Sequence, residues 1–131
     1  MSEFDWVTAR STCSADEVFE KLRVQVKQDV ETRHALRPQG EPLAFHFISE
    51  GRTFSALVEG DKIHRAVIFR LESQTITVYT DSDDVLFRAQ VTLNDEGECV
   101  VKINDEERQL WQMRKQGLEE LFFTEYIRKP K

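Results

Sequence analysis

The chain has 131 residues, of which 40% are hydrophobic and 32% charged, the balance of a globular protein long enough to bury one core. Its formal net charge of −6 argues against nucleic acid as a main partner, because binding phosphates needs a basic surface. The sequence shows neither a secretory signal nor an apolar run long enough to span a membrane, and its two cysteines give no disulfide framework. We therefore expect a single domain over 1–131 that lies in the reducing cytoplasm and makes no membrane contact.

The first elements are predicted to be a strand and then a helix. Alternation along Glu3–Arg10 favours a strand, although both of its sides carry apolar groups. Ser14 and Glu17 form a capping box, which predicts the start of an amphipathic helix running to about Arg33. The apolar stripe of that helix consists of Val18, Phe19, Leu22, Val26 and Val30.

The stretch over about 43–103 alternates between apolar and polar residues and predicts a six- to seven-stranded antiparallel meander. The predicted turns lie at 50–51, 60–61, 73–74, 81–84 and 94–97. These turns pair Phe47 with Phe54, Phe54 with Val67, Ala56 with Arg65, Phe69 with Val78, Val78 with Phe87, and Val91 with Cys99. Every strand then turns its apolar residues to one common face.

A second capping pattern at Asn104 and Glu107 predicts a long C-terminal helix reaching about Tyr126 and packed on that face of the sheet. Its apolar stripe is Leu110, Trp111, Leu118, Leu121 and Phe122, and Gly117 within the stripe suggests a close approach to the sheet. The fold class is therefore α+β. The element order resembles the helix-grip fold, a likeness of topology that implies no function.

One candidate site is a ligand cavity between the sheet and the C-terminal helix. Its predicted lining is Phe45, Phe54, Phe69, Phe87 and Trp111. Arg65 interrupts the apolar face and has two interpretations: an anion-binding group in that cavity, or an arginine at the sheet margin that pairs with the acidic loop 81–84.

The second candidate site is the opposite face of the sheet. An apolar row of Thr53, Ile68, Tyr79 and Leu86, with Leu57 nearby, is predicted to run beside a basic row of Arg70, Thr77, Arg88 and Lys102. This pattern suits a partner surface for an acidic protein or for a second copy of this chain, and it also suits an ordinary solvated face.

Motifs for chemistry are missing from the sequence. His34, His46 and His64 are scattered, Cys99 is expected to point inward as a small core residue, and the two cysteines suggest neither a disulfide framework nor a metal site. No paired carboxylates, activated nucleophile or phosphate loop is visible, so the prediction leans away from an enzyme and includes neither a metal nor a cofactor.

Two functions remain. The first is a non-catalytic interaction or assembly domain that associates with itself, or with an acidic protein, through the outer sheet face. The alternative is a module that binds an apolar or acidic small molecule in the cavity under the C-terminal helix. The inward residues are large, which favours a filled core and hence the first function.

Overall fold

The computed structural model describes residues 3–123 as three helices and one antiparallel sheet, an α+β fold. The helices are α1 (Trp6–Thr12), α2 (Ala15–Ala35) and α3 (Leu110–Phe123). The strands are β1 (Ala44–Glu50), β2 (Thr53–Gly60), β3 (Ile63–Glu72), β4 (Thr75–Thr80), β5 (Val85–Leu93), β6 (Cys99–Ile103) and β7 (Glu106–Arg108). Strands pair in sequence order from β1 to β7, as the predicted meander requires.

The N-terminal strand predicted over Glu3–Arg10 is wrong, because residues 6–12 form α1. Asp5 caps this helix: its carboxylate accepts hydrogen bonds from the Thr8 amide at 3.1 Å and the Thr8 hydroxyl at 2.6 Å. Those bonds also hold the pKa of Asp5 below its usual value. No residue of α1 is buried, so the apolar side chains that suggested a strand do not contribute to the core.

Helix α2 begins where the capping box predicted, since the Ser14 hydroxyl accepts from the Glu17 amide. Phe19, Leu22, Val26 and Val30 are buried beneath it against the sheet. The helix ends at Ala35, two residues past the predicted Arg33.

The predicted pairing of the strands is correct in two of the five tested hairpins. Phe69 lies opposite Val78, and Val78 opposite Phe87, as expected. The other three registers differ by two residues, and their observed pairs are Phe47 with Ala56, Phe54 with Phe69, Ala56 with Val67, Val58 with Arg65, and Val91 with Val101. A shift of two leaves each residue on its predicted face, so the common apolar face survives.

Gly60 shows why the second turn was misplaced. The turn is formed by Asp61 and Lys62, both with positive φ. Gly60 is instead the last residue of β2, where a Cβ would lie 2.5 Å from the carbonyl oxygen of Pro42. This glycine therefore serves a close approach of the backbone rather than a turn.

The predicted cap at Asn104 is also wrong. Asn104 and Asp105 have positive φ values of 53° and 65° and form a two-residue hairpin turn into β7. Helix α3 therefore begins only at Leu110, and the predicted end near Tyr126 lies outside the described residues. Gly117 does approach the sheet: a Cβ there would lie 3.4 Å from Phe69 Cζ and from Val78 Cγ1.

The two cysteines form a disulfide between Cys13, after α1, and Cys99, at the start of β6. The expectation of two free thiols, with Cys99 as an inward core residue, is wrong: Cys13 is 3% exposed, whereas Cys99 is exposed. The two are 86 residues apart in sequence, and only the folded sheet brings their Cα atoms to 5.3 Å.

A buried arginine ties α2 to α3 and to the loop before β1. Arg33 donates to the Phe122 carbonyl at 2.9 Å, lies 3.6 Å from the Glu41 carboxylate, and stacks 4.3 Å from the centre of the Phe45 ring. Burial lowers the pKa of Arg33, and the charge of Glu41 opposes that shift. Between the same two helices, the half-buried Arg114 forms an ion pair with Asp29 at 2.7 Å.

The turn of chain from α2 into β1 is held by His34. Its Nδ1 accepts a hydrogen bond from the Phe45 amide at 3.1 Å. Burial lowers the pKa of His34, and the neighbouring Arg37 and His46 act in the same direction. The imidazole therefore favours the neutral form that can accept this bond.

Candidate interaction surface

Helices α2 and α3 pack on one face of the sheet, where the aromatic core lies, and the opposite face carries the second candidate site. We call that opposite face the outer face. Within residues 3–123, the two long helices α2 and α3 leave the outer face uncovered, because their buried residues belong to the core on the inner side of the sheet.

An apolar row crosses the outer face from β1 to β5. The observed pairs run from Ile48 through Ser55 and Ile68 to Tyr79, which lies opposite Val85 beside a bulge, with Leu86 following. Ile48, Val85 and Leu86 are 48%, 45% and 42% exposed, large fractions for side chains of this size. Ile48 stands at one end of the row and Val85 and Leu86 at the other, with the half-buried Ser55, Ile68 and Tyr79 between them. Several exposed apolar side chains on one face suit an interaction surface.

A charged row lies beside the apolar row. It runs from Glu50 through Thr53, Arg70 and Thr77 to Arg88, so a carboxylate stands at one end and a guanidinium at the other. The Arg70 guanidinium lies 5.3 Å from the centre of the Tyr79 ring and links the two rows.

The predicted composition of the rows needs two corrections. Thr53 belongs to the charged row and not to the apolar one, because the first two hairpins are shifted by two residues. Lys102 lies one row further on, between Gln90 and Glu107. The remaining predicted members, which are Ile68, Arg70, Tyr79, Leu86 and Arg88, do come together on this face.

The predicted ligand cavity is not assembled from the residues expected to line it. Phe45, Phe54, Phe69 and Phe87 are at most 6% exposed and pack into the core. Phe54 stacks on Phe69 with ring centres 4.8 Å apart. Trp111 is 53% exposed and donates its indole N–H to Gln109, away from those four rings.

Arg65 lies opposite Val58, two residues from the predicted Ala56, and is exposed. This position agrees with the sheet-margin interpretation of Arg65 better than with a buried anion site. It leaves the ligand-binding assignment of these six residues without geometric support.

Sequence reasoning missed three features of the outer face. Ile48 and Glu50 were not included because the first turn was placed one residue early, although their alternation with Phe47 signals the outer side. Glu59 was also missed: it lies between two histidines, 3.3 Å from His46 and 3.5 Å from His64.

Over the described range, no group of three or more His, Cys, Asp or Glu side chains is arranged to hold a metal ion. No helix within residues 3–123 is both long and apolar enough to cross a membrane. Comparison with known proteins finds no matching family model, no matching curated protein and no matching solved structure.

Proposed function

We propose that this chain is a non-catalytic interaction domain that self-associates through its outer sheet face. The observation that carries the proposal is the apolar row on the face opposite the helices, in which Ile48 and Leu86 are exposed and Ile68 and Tyr79 are half-buried. Burying such side chains contributes about 25 cal/mol per Å² of apolar surface removed from water.

The order of residues in both rows favours a second copy as the partner. A two-fold axis parallel to β3 reverses each row in the other copy, so Ile68 meets Ile68 and Ile48 meets Leu86. The same axis brings Glu50 of each copy to Arg88 of the other, and it places Arg70 of each copy against Arg70 of the other, so the charged rows attract at their ends and repel at their centre. Two-fold dimers require self-complementary patches, which the apolar row supplies, and the Glu50–Arg88 contacts would set the alignment of the two sheets.

The size of the patch predicts a weak association. With strands about 4.8 Å apart and a rise of about 3.3 Å per residue, five strands of six residues span roughly 500 Å² on each copy. That is near the lower limit of specific interfaces, which usually bury about 800 Å² on each side. A dimer that dissociates on dilution is therefore expected.

Sedimentation velocity over a range from micromolar to near-millimolar protein tests the proposal. The wild type should shift from monomer to dimer, and Tyr79→Glu should remain monomeric because the dimer would have to remove a carboxylate in the middle of the apolar row from water. Lys27→Glu on the exposed side of α2 is the matched control for the added negative charge and should dimerise like the wild type.

A charge exchange tests the alignment. Glu50→Arg and Arg88→Glu should each weaken the dimer, and the double variant should restore it. Monomeric wild-type protein at all concentrations would refute self-association and leave an acidic protein as the partner for this face.

The small-molecule alternative receives less support, because the four phenylalanines assigned to its cavity fill the core. The cytoplasmic location remains a prediction. The Cys13–Cys99 bond bears on it, since disulfides persist mainly in oxidising compartments and are usually transient or regulatory in the cytosol.

A further inference from the structure

A cleft of about 580 Å³ opens beside the disulfide, between the start of α2, strand β6 and the start of α3. Cys99 lies in its wall, whereas Cys13 does not. The bond is therefore presented to solvent from one side, through Cys99.

The charged side chains of the cleft are of both signs. Glu17 and Lys21 project from α2 and Arg108 from β7, whereas the Glu107 carboxylate accepts a hydrogen bond from Asn94. Gln109 and Gln112 add amide groups that both donate and accept hydrogen bonds. This lining is complementary to a small molecule that carries carboxylates, an ammonium group and peptide bonds.

We propose that Cys99 is a site of thiol–disulfide exchange for a small, zwitterionic, peptide-like thiol that enters this cleft. The incoming thiolate attacks Cys99 Sγ, the Cys13–Cys99 bond breaks, and a mixed disulfide forms on Cys99. The electron pair leaves on Cys13 Sγ, which takes up the proton that the incoming thiol released.

A second molecule of the same thiol completes the reaction. It attacks the sulfur of the bound thiol, which frees Cys99 as a thiol and releases the oxidised, disulfide-linked form of the small molecule. Two small thiols are thus oxidised and one protein disulfide is reduced.

Opening the bond would free α1, because little else holds this helix. α1 buries no residue. Besides the disulfide, the Phe4 ring packs over Gly97, and Arg10 donates to the side-chain oxygen of Gln74 at 2.9 Å when that amide is oriented to accept. Both contacts lie at half-buried turns, and α1 also contacts β5.

Peptide mapping by mass spectrometry tests the exchange site. The folded, oxidised protein is treated with glutathione, quenched with acid and digested. The adduct is expected on the Cys99 peptide. An adduct found only on Cys13, or a bond that glutathione opens only in denaturant, would overturn the proposal.

The chemistry of the cleft is tested with the variant Lys21→Ala/Arg108→Ala. It should react about twofold to fivefold more slowly with glutathione and be slowed less with 2-mercaptoethanol, whose only charge is that of the attacking thiolate. Equal slowing with both thiols would overturn the recognition of a zwitterionic thiol.

Release of α1 is followed by the fluorescence anisotropy of Trp6 in a Trp111→Phe background, which leaves one tryptophan. Anisotropy should fall when the bond opens, and Cys13→Ala/Cys99→Ser should show the low value without any thiol. The same anisotropy in the oxidised and reduced proteins, both folded by circular dichroism, would overturn the release. The anisotropy is measured on dilute, monomeric protein, and the other two readouts do not depend on self-association, so the two proposals fail separately.

Discussion

Removing the Cys13–Cys99 bond should lower the stability of the fold by a measurable and calculable amount. The disulfide closes a loop with a sequence separation of 86 residues. In the chain-entropy model, a loop of this length restricts the unfolded chain by about 4.6 kcal/mol at 25 °C, and measured losses are more often about 2–4 kcal/mol.

The corresponding change in melting temperature follows from the length of the chain. An unfolding entropy of about 2.1 cal/mol/K per residue gives roughly 0.28 kcal/mol/K for 131 residues. A loss of about 2–4 kcal/mol therefore lowers the melting temperature by about 7–15 °C.

The assay is thermal unfolding of the oxidised protein, of the same protein after reduction, and of Cys13→Ala/Cys99→Ser. The reduced protein and the double variant should melt at similar temperatures, both well below the oxidised form. If reduction changes the melting temperature by less than about 2 °C while mass spectrometry confirms that the bond is open, the loop-closure reasoning is refuted.

Three further perturbations test the packing of the helices on the sheet. Gly117→Ala should stabilise the protein by about 0.5–1 kcal/mol in urea unfolding, because its methyl group fits at ordinary contact distance, while Gly117→Val should destabilise it by overpacking. Arg33→Met should lower the free energy of unfolding by about 3–5 kcal/mol, because it leaves the buried Glu41 carboxylate without its cation. Adding Glu41→Met should recover much of that free energy. A double variant no more stable than Arg33→Met would contradict the pairing. The pKa of His34 is lower in the folded state than its unfolded value of about 6.5. His34 therefore contributes its full stabilisation of the fold above the unfolded pKa, and that stabilisation is lost as the pH falls through the folded pKa. The melting temperature of the wild type should therefore fall more between pH 7 and about pH 5 than that of His34→Asn, whose amide oxygen can accept the same bond without titrating, and equal slopes would exclude His34 as the cause.

The alternation of apolar and polar residues was sufficient to predict the sheet and its apolar face. A shift of the strand register by two residues leaves every side chain on the same face. Phe54, Ala56 and Val58 are buried whichever turn is chosen, and they are buried in the structure. The exact turns were not predictable, because Gly60 is required by the approach of Pro42, a contact that exists only after folding.

The errors at the two ends have local causes. Asp5 caps a helix over a segment whose alternation looks like a strand, and hydrogen bonding to Thr8 outweighs that pattern. Asn104 suits a helix cap and a hairpin turn equally well. In the structure it forms the turn, because the segment after it pairs with the free edge of β6 as strand β7.

The candidate surface was partly predictable for the same reason that the sheet was. The outer-face positions of Ile68, Tyr79 and Arg88 follow from alternation. The disulfide was not predictable, because nothing in the sequence near Cys13 indicates that β6 passes beside it.

The sequential order of the seven strands has a consequence for how the chain folds. Each strand finds its partner in the segment just before or after it, so the hairpins close short loops and the sheet can grow one strand at a time. Contacts between distant parts of the chain, such as Arg33 with Phe122, are left to the docking of α2 and α3. Pairing between neighbours keeps the contact order lower than crossovers between distant strands would, which favours faster folding and shortens the time in which strand edges are exposed.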